Sequence, residues 1–428
     1  MDDFLDVCGL GSVTIPSLQS LSLHHNGACD QDYDVLSPEQ LASWAPKVTR
    51  LSLRDIVLVD IRVPLTVSFN HLTSLDITCH VVEWLNAGEE YEGPDPISYQ
   101  QFCSFFEALP RLSFLCLNDA LPFMASPDDA SWLLEDDPIP MPQTLTKLWL
   151  EADECKHSSF ALYPRLQIPP TAKTVWEFDC RTDKEVRSDM PSRGQIFAAA
   201  LSKYTARVVF LGNYRGGKEP EFEGGNGTWL WIWDSRCMSD YDATTICPPG
   251  DWISRVSVFT LDTIGWSHED HMPLYHADMP DVVHFIITGV GLYNEVENWL
   301  SLFSRAPHVR RLDVVGFNSV EALLMALSDP RSGPPPLPAL DTLLLGINRS
   351  PYKIYKEFHN SRYMEWAETS LNDDFKSLLN SVIERRRELG APLRIVGLPK
   401  QANQWLADVG GLGVEIVFME STAWRFCV

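Results

Sequence analysis

Apolar residues recur along this chain at positions 0, +3 and +5, with polar residues between them. Leu18, Leu21 and Leu23 in PSLQSLSLHHN are closed by Asn26, and Leu340, Leu343 and Leu345 in PALDTLLLGIN are closed by Asn348. Looser copies are Val48/Leu51/Leu53, Leu72/Leu75/Ile77, Leu112/Leu115/Leu117, Leu145/Leu148/Leu150, Val256/Phe259/Leu261, Val282/Phe285/Ile287, Val309/Leu312/Val314 and Leu393/Val396/Leu398. Val175/Phe178/Cys180 is a degenerate copy. Alternation of apolar and polar residues is the period of a half-buried strand. A short strand that recurs signals a solenoid, in which each unit buries its apolar side only against its neighbours.

The segments ahead of the strands read as helices. Phe102, Phe105, Phe106 and Leu109 lie at i, i+3, i+4 and i+7, one apolar stripe. Ser98 ahead of Gln101 offers a capping box, and Pro110 ends the helix before the Leu112 strand. The same order holds at Ser37-Pro38-Glu39-Gln40, then Leu41 and Trp44, then Pro46 and the Val48 strand. It returns at Val296, Trp299, Leu300 and Phe303, then Pro307 and the Val309 strand. Helix, proline, strand is the unit.

Strand starts are 30, 24, 40 and 33 residues apart from Leu18 to Leu145, and 26, 27 and 31 apart from Val256 to Leu340. These straddle the roughly 20–29 residues of a leucine-rich repeat, with extra length in loops. The expected fold is α/β: one right-handed leucine-rich-repeat solenoid over 1–428, an irregular arc with a parallel inner sheet and outer helices and loops. Within it, 1–180 and 256–428 carry the regular repeats. Residues 181–255 form an irregular section with the Gly-rich GGKEPEFEGGNG and a strand holding Trp229, Trp231 and Trp233. Leu230 and Ile232 alternate with those tryptophans, so burial on both faces is expected. Residues 349–375 read as a long charged connection, and SGPPPLP as a stiff turn.

If the 0, +3 and +5 residues point inward, the residues between them line the concave sheet. These are Arg50, Ser52 and Arg54; Ser74 and Asp76; Phe114, Cys116 and Asn118; and Lys147, Trp149 and Glu151. Glu177, Asp179 and Arg181, Thr260 and Asp262, and Arg311 and Asp313 continue the series. Exposed aromatic and arginine side chains anchor protein interfaces, so this stripe is the candidate site for a target protein. The same alternation also arises where solvated residues only make local cross-strand pairs.

Two constellations mimic chemistry. Gly212-Asn-Tyr-Arg-Gly-Gly217-Lys218 follows the apolar run Val208–Leu211, as a phosphate loop follows its strand. A phosphate loop needs Ser or Thr next and then a helix, whereas Glu219, Pro220, Glu221 and Glu223 follow here. A hairpin loop is the better reading, and a nucleotide-dependent enzyme using 212–218 is the remote alternative. His268, Glu269, Asp270, His271, His276 and Asp278 are rich in metal-ligand types. Their order is H-E-D-H rather than H-E-x-x-H, and Pro273 interrupts any single helix, so a polar loop is expected. The reading is a non-enzyme with no catalytic residue, cofactor or metal.

Composition narrows the partners. The formal net charge is −24, from 58 acidic and 34 basic residues, and no basic stripe with interleaved aromatics offsets it. Nucleic acid is therefore not an expected partner. The triplet Arg385-Arg386-Arg387, flanked by Glu384 and Glu388, reads as the wet side of a helix. No run approaches the ~20 apolar residues of a membrane span, and MDDFLDVCGLGS lacks the features of a signal peptide. Ten scattered cysteines without a C-x-x-C pair fit reduced thiols and an intracellular setting, cytoplasm or nucleus, in which the Asn226 sequon has no meaning. Of these cysteines, Cys180 is expected in the core and Cys116 facing outward.

The last block, LLNSVIERRRELGAPLRIVGLP, carries a helix with Leu378, Leu379, Val382, Ile383 and Leu389, then Gly390, then the Leu393 strand. With the irregular proline-punctuated repeats from about residue 16 onward, it resembles fungal-type F-box/leucine-rich-repeat proteins. The resemblance implies the substrate-receptor subunit of a cullin–RING ubiquitin ligase, in which an N-terminal F-box docks the ligase adaptor and the repeat arc holds the target. About fifteen residues precede the first repeat here and contain no Leu-Pro-rich helical segment. The adaptor is accordingly expected as a partner only if an F-box lies upstream. The alternative is a free-standing repeat scaffold unconnected to ubiquitin.

Overall fold

The strands form where the apolar spacing puts them. A computed structural model describes residues 15–24, 34–58, 69–78, 99–118, 138–152, 165–180, 193–215, 225–234, 253–261, 274, 277–288, 295–315, 320–329, 334–346, 373–400, 402 and 413–419. The chain divides into two compact units, residues 1–191 with 258–261 and residues 192–257 with 262–428. Each is α/β with mostly parallel strands.

The first unit runs β1 (Ser20–His24), β2 (Asp34–Leu36), α1 (Pro38–Trp44), β3 (Arg50–Arg54), β4 (Ile56–Leu58), β5 (Ser74–Thr78) and α2 (Tyr99–Glu107). It continues with β6 (Phe114–Asn118), β7 (Ile139–Pro140), β8 (Lys147–Ala152), β9 (Leu166–Gln167) and β10 (Lys173–Cys180). Its sheet is ordered β1-β3-β5-β6-β8-β10, every pair parallel. Short parallel pairs β2–β4 and β7–β9 stand apart from that sheet.

One turn opens each strand. The N–H at position 0 donates to the carbonyl three residues back: Val48 to Ala45 at 3.1 Å, Leu72 to Phe69 at 3.0 Å, Leu112 to Leu109 at 3.1 Å. The next two N–H groups converge on one carbonyl of the preceding strand, as Thr73 and Ser74 do on Thr49 O at 2.8 and 3.1 Å. A hydroxyl adds a third donor to the same carbonyls. Thr49 donates to Gln19 O at 2.8 Å, Thr73 to Thr49 O at 3.0 Å, Ser113 to Thr73 O at 2.9 Å and Thr146 to Ser113 O at 2.8 Å. Each such bond is worth about 1 kcal/mol net. Behind this ladder Val48, Leu72, Leu112 and Leu145, with the +3 and +5 residues of their strands, are all buried.

Helix α1 begins as the sequence requires. Ser37 accepts from Gln40 N–H at 3.2 Å, and the Gln40 side chain accepts from Ser37 N–H at 2.9 Å, a complete capping box. Neighbouring repeats are tied by backbone: Ile15 N–H donates to Trp44 O at 2.7 Å and Phe69 N–H to Ala108 O at 3.0 Å. Ser98, Asn26 and Asn348 lie outside the described residues. The degenerate copy is corrected in β10, where Thr174 and Trp176 stand in register with Leu148 and Leu150 and are fully buried. Val175 is buried as expected, but on the face of Trp149. The same turn precedes this strand, with Ala172 donating to Pro169 O at 2.9 Å, but one residue fewer separates it from the strand, so the inward positions follow at +2 and +4.

The second unit holds α3 (Arg193–Ser202), β11 (Ala206–Arg215), β12 (Gly225–Asp234), the start of β13 (Ser254–Leu261), β14 (His284–Thr288) and α4 (Val296–Arg305). Then come β15 (Arg311–Val315), α5 (Val320–Ser328), β16 (Thr342–Gly346), α6 (Asp373–Glu388), β17 (Ile395–Pro399) and β18 (Glu415–Met419). The order is β13-β12-β11-β14-β15-β16-β17-β18. β11 and β12 are an antiparallel hairpin, and the pairs from β11–β14 onward to β17–β18 are parallel. Helix α5 packs against both α4 and α6.

Helix α6 corrects the reading of the arginine triplet as wholly wet. Leu379, Val382, Ile383 and Arg386 fall at i, i+3, i+4 and i+7 and all are buried. The Arg386 guanidinium donates to the carbonyls of Pro336 (2.7 Å), Leu337 (2.9 Å) and Leu340 (3.1 Å), the turn that opens β16. Leu337 there adopts φ +49°. The helix ends at Gly390, whose φ of +73° suits a residue without Cβ.

Candidate interaction face

The alternate positions of the first unit's sheet form a grid, because parallel register aligns like positions side by side. On β6, β8 and β10 the rows are Phe114-Lys147-Lys173, Cys116-Trp149-Val175 and Asn118-Glu151-Glu177. Ser74, Asp76 and Thr78 of β5 and Arg50, Ser52 and Arg54 of β3 extend these rows. Arg50 is exposed, Arg54 lies with Nε 3.9 Å from Asp55, and Asp76, Phe114, Asn118, Lys147, Trp149, Glu151 and Glu177 are half-buried. The face is charged and aromatic apart from the buried Val175, where the opposite side of the same strands is closed, aliphatic on β3 to β8 and filled by Thr174 and Trp176 on β10.

Its centre is preorganised by cation–π contact. The Lys147 ammonium stands 5.3 Å from the Phe114 ring centroid and 5.4 Å from that of Trp149, which fixes both rings around one charge. Burial, the neighbouring Asp76 carboxylate and its hydrogen bond, and Glu151 push the Cys116 thiol up to about 12, so it stays protonated at neutral pH. Trp149 Nε1 and Asn118 Oδ1, one donor and one acceptor, are buried atoms without a hydrogen-bond partner among the described residues.

The equivalent face of the second unit is different and corrects part of the expected stripe. Arg311 and Asp313, read as exposed, are 2 % and 0 % exposed. Arg311 grips the Asp313 carboxylate with two donors, Nε to Oδ1 at 2.8 Å and Nη2 to Oδ2 at 2.9 Å. His284 Nε2, from the paired strand, stands 3.1 Å from Asp313 Oδ2. Burial would raise the Asp313 carboxyl, but His284 and Arg311 outweigh it and hold it below its ordinary value. Burial, reinforced by Arg311, outweighs Asp313 at His284 and holds the imidazole below its ordinary value. Beside this trio, Val208, Phe210, Trp231, Trp233 and Ile286 form a buried cluster. Charges gripping one another are closed in like apolar groups, which alternation alone does not reveal.

Asp179 sits within β10 with its side chain outside the described residues, as do Cys180's side chain and the whole of Arg181 and Asp262. Chemistry-bearing decoys resolve partly. After Gly212 the chain continues as strand to Arg215, paired with β12, rather than turning into a helix, and Lys218 lies outside the described residues. His268 through His271 and His276 also lie outside them, while Asp278 pairs with Arg305 at 3.0 Å. Among the described residues no group of three His, Cys, Asp or Glu side chains is placed to hold a metal, and no helix is long and apolar enough to cross a membrane. His284 escaped sequence reading, though its place two residues after Val282 on the alternate face marks it as Arg311's neighbour. Comparison with family models, with curated proteins and with solved structures returns no match for this chain.

Proposed function

We propose that this chain is a protein-interaction scaffold, a right-handed leucine-rich-repeat solenoid resembling the substrate-recognition part of an F-box/leucine-rich-repeat ubiquitin-ligase receptor. The observation that carries the reading is the grid on β6, β8 and β10, where Phe114, Lys147 and Trp149 form a preorganised aromatic and cationic centre. Rigid aromatic groups beside charge are what protein interfaces use as anchors. The repeated turn and hydroxyl ladder supports the solenoid half of the proposal, since it gives successive strands of the first unit the same relation to their predecessors.

Quantitative affinity capture tests it. The full chain, a Lys147→Glu/Trp149→Ala variant and an exposed-helix control, Glu384→Lys, are compared in the same cells. Proteins retained by the wild type and control but lost by the double variant are the expected targets. Identical captures from all three contradict the reading. Presence of the cullin–RING adaptor in the wild-type capture marks a ligase receptor; its absence beside a face-dependent target marks a free-standing scaffold.

A further inference from the structure

The grid on β6, β8 and β10 also specifies what chemistry its partner carries, an inference that rests on the interaction reading above. Three rows cross the three strands. The first is cationic at Lys147 and Lys173, the middle is Trp149 with Val175, and the last is anionic at Glu151 and Glu177. Within β8 and within β10 the cationic and anionic positions are four residues apart, about 13 Å at the rise of an extended chain. A peptide lying extended along the strands has the same rise. Its residues k, k+2 and k+4 therefore fall over the three rows on one side of its backbone.

We propose that this grid binds an extended segment with opposite charges four residues apart and an apolar residue midway between them. The acidic side chain meets Lys147 and Lys173, the apolar one covers the Trp149 ring, and the basic one meets Glu151 and Glu177. Glu151, Lys173 and Glu177 already take part in interactions of their own. The partner's charges thus join an existing network, and the selectivity lies in spacing and sign.

The test uses the full chain and four labelled synthetic peptides read by fluorescence anisotropy. Their cores are Glu-Ser-Leu-Ser-Lys, Glu-Ser-Leu-Ser-Glu, Lys-Ser-Leu-Ser-Lys and the rearranged Glu-Lys-Leu-Ser-Ser. The first is expected to bind about tenfold tighter than the rest, as two partly exposed ion pairs allow. Lys147→Glu/Lys173→Glu should move the preference to the Lys–Lys peptide, and Glu151→Lys/Glu177→Lys to the Glu–Glu peptide. Equal affinities, or preferences unmoved in both double variants, overturn the motif. A random dodecapeptide library panned on the same protein separates that failure from failure of the interaction reading. Enriched peptides that lose binding to Trp149→Ala yet lack the charge spacing sink the motif and leave the face as a binding site. Enriched peptides indifferent to Trp149→Ala and to both charge reversals sink both.

Discussion

The strands of the two units share one apolar spacing and put opposite things behind it. In the first unit the residues between Leu148 and Leu150, or Leu115 and Leu117, are half-buried aromatic or thiol groups over a sealed aliphatic layer. In the second unit the residues between Phe285 and Ile287, or Leu312 and Val314, are Ile286 and Asp313, both fully buried. Turn chemistry differs as well. The residue after position 0 is Thr49, Thr73, Ser113 or Thr146 in the first unit, each donating its hydroxyl to the preceding strand. The second unit has Val283, Arg310, Asp341 and Arg394 there, which hold the preceding strand through their backbone N–H groups. Spacing thus sets strand and register, while the alternate positions decide whether a sheet face is a surface or a second core.

The sharpest way to break this contrast is to unpair the buried charge. Asp313→Ala leaves Arg311 buried without its carboxylate and should cost the second unit about 3–5 kcal/mol, measured by urea unfolding with hydrogen exchange across β14–β16. The same trio predicts acid sensitivity. His284 is held below its ordinary value, so the unfolded chain takes a proton that the folded one refuses. That contribution is intact above about pH 6.5 and is lost as pH falls below it. Asp313, also depressed, adds a second loss below the ordinary carboxylate range. His284→Gln, which keeps an N–H for Asp313, should remove the first phase and leave the second.

Close packing on the second unit's alternate face gives a smaller effect. A Cβ at Gly397 would collide with Leu344 Cδ2 and come within 2.9 Å of Met419 Cε. Gly397→Ala should therefore destabilise by about 1–3 kcal/mol, read from the same unfolding curves. The smallest effect sharpens the contrast in turns. Thr73→Val removes one rung of the hydroxyl ladder and should cost about 1 kcal/mol. Val283→Thr, whose N–H already donates to Arg207 O at 2.9 Å, should return a similar amount to the second unit.

Much of the fold is legible because it is written in spacing. The Leu51/Leu53 and Leu75/Ile77 strands, the capping box at Ser37 and Gln40, and the stop at Gly390 each follow from local rules. The hydroxyl ladder is equally visible, as Ser or Thr after position 0 in four successive repeats, and needs only that column to be read. Arg386 is misread because its charge draws attention from its place at i+7 of the Leu379 stripe. Val175 is expected on the face of Leu148 and Leu150 because nothing in the sequence announces that one residue fewer separates the turn from β10. Arg311 and Asp313 mark the real limit, since burial there depends on His284, a residue from another strand.

Hydroxyl-radical footprinting of the intact chain, resolved to residues by mass spectrometry, tests the central contrast most directly. Open and closed faces differ in solvent access whatever their partners. The account predicts that Phe114 and Trp149 oxidise readily while Phe210, Trp231 and Trp233 are protected. Protection of Trp149 equal to that of Trp231 and Trp233 would contradict it, for the strands of both units would then be closed on both sides.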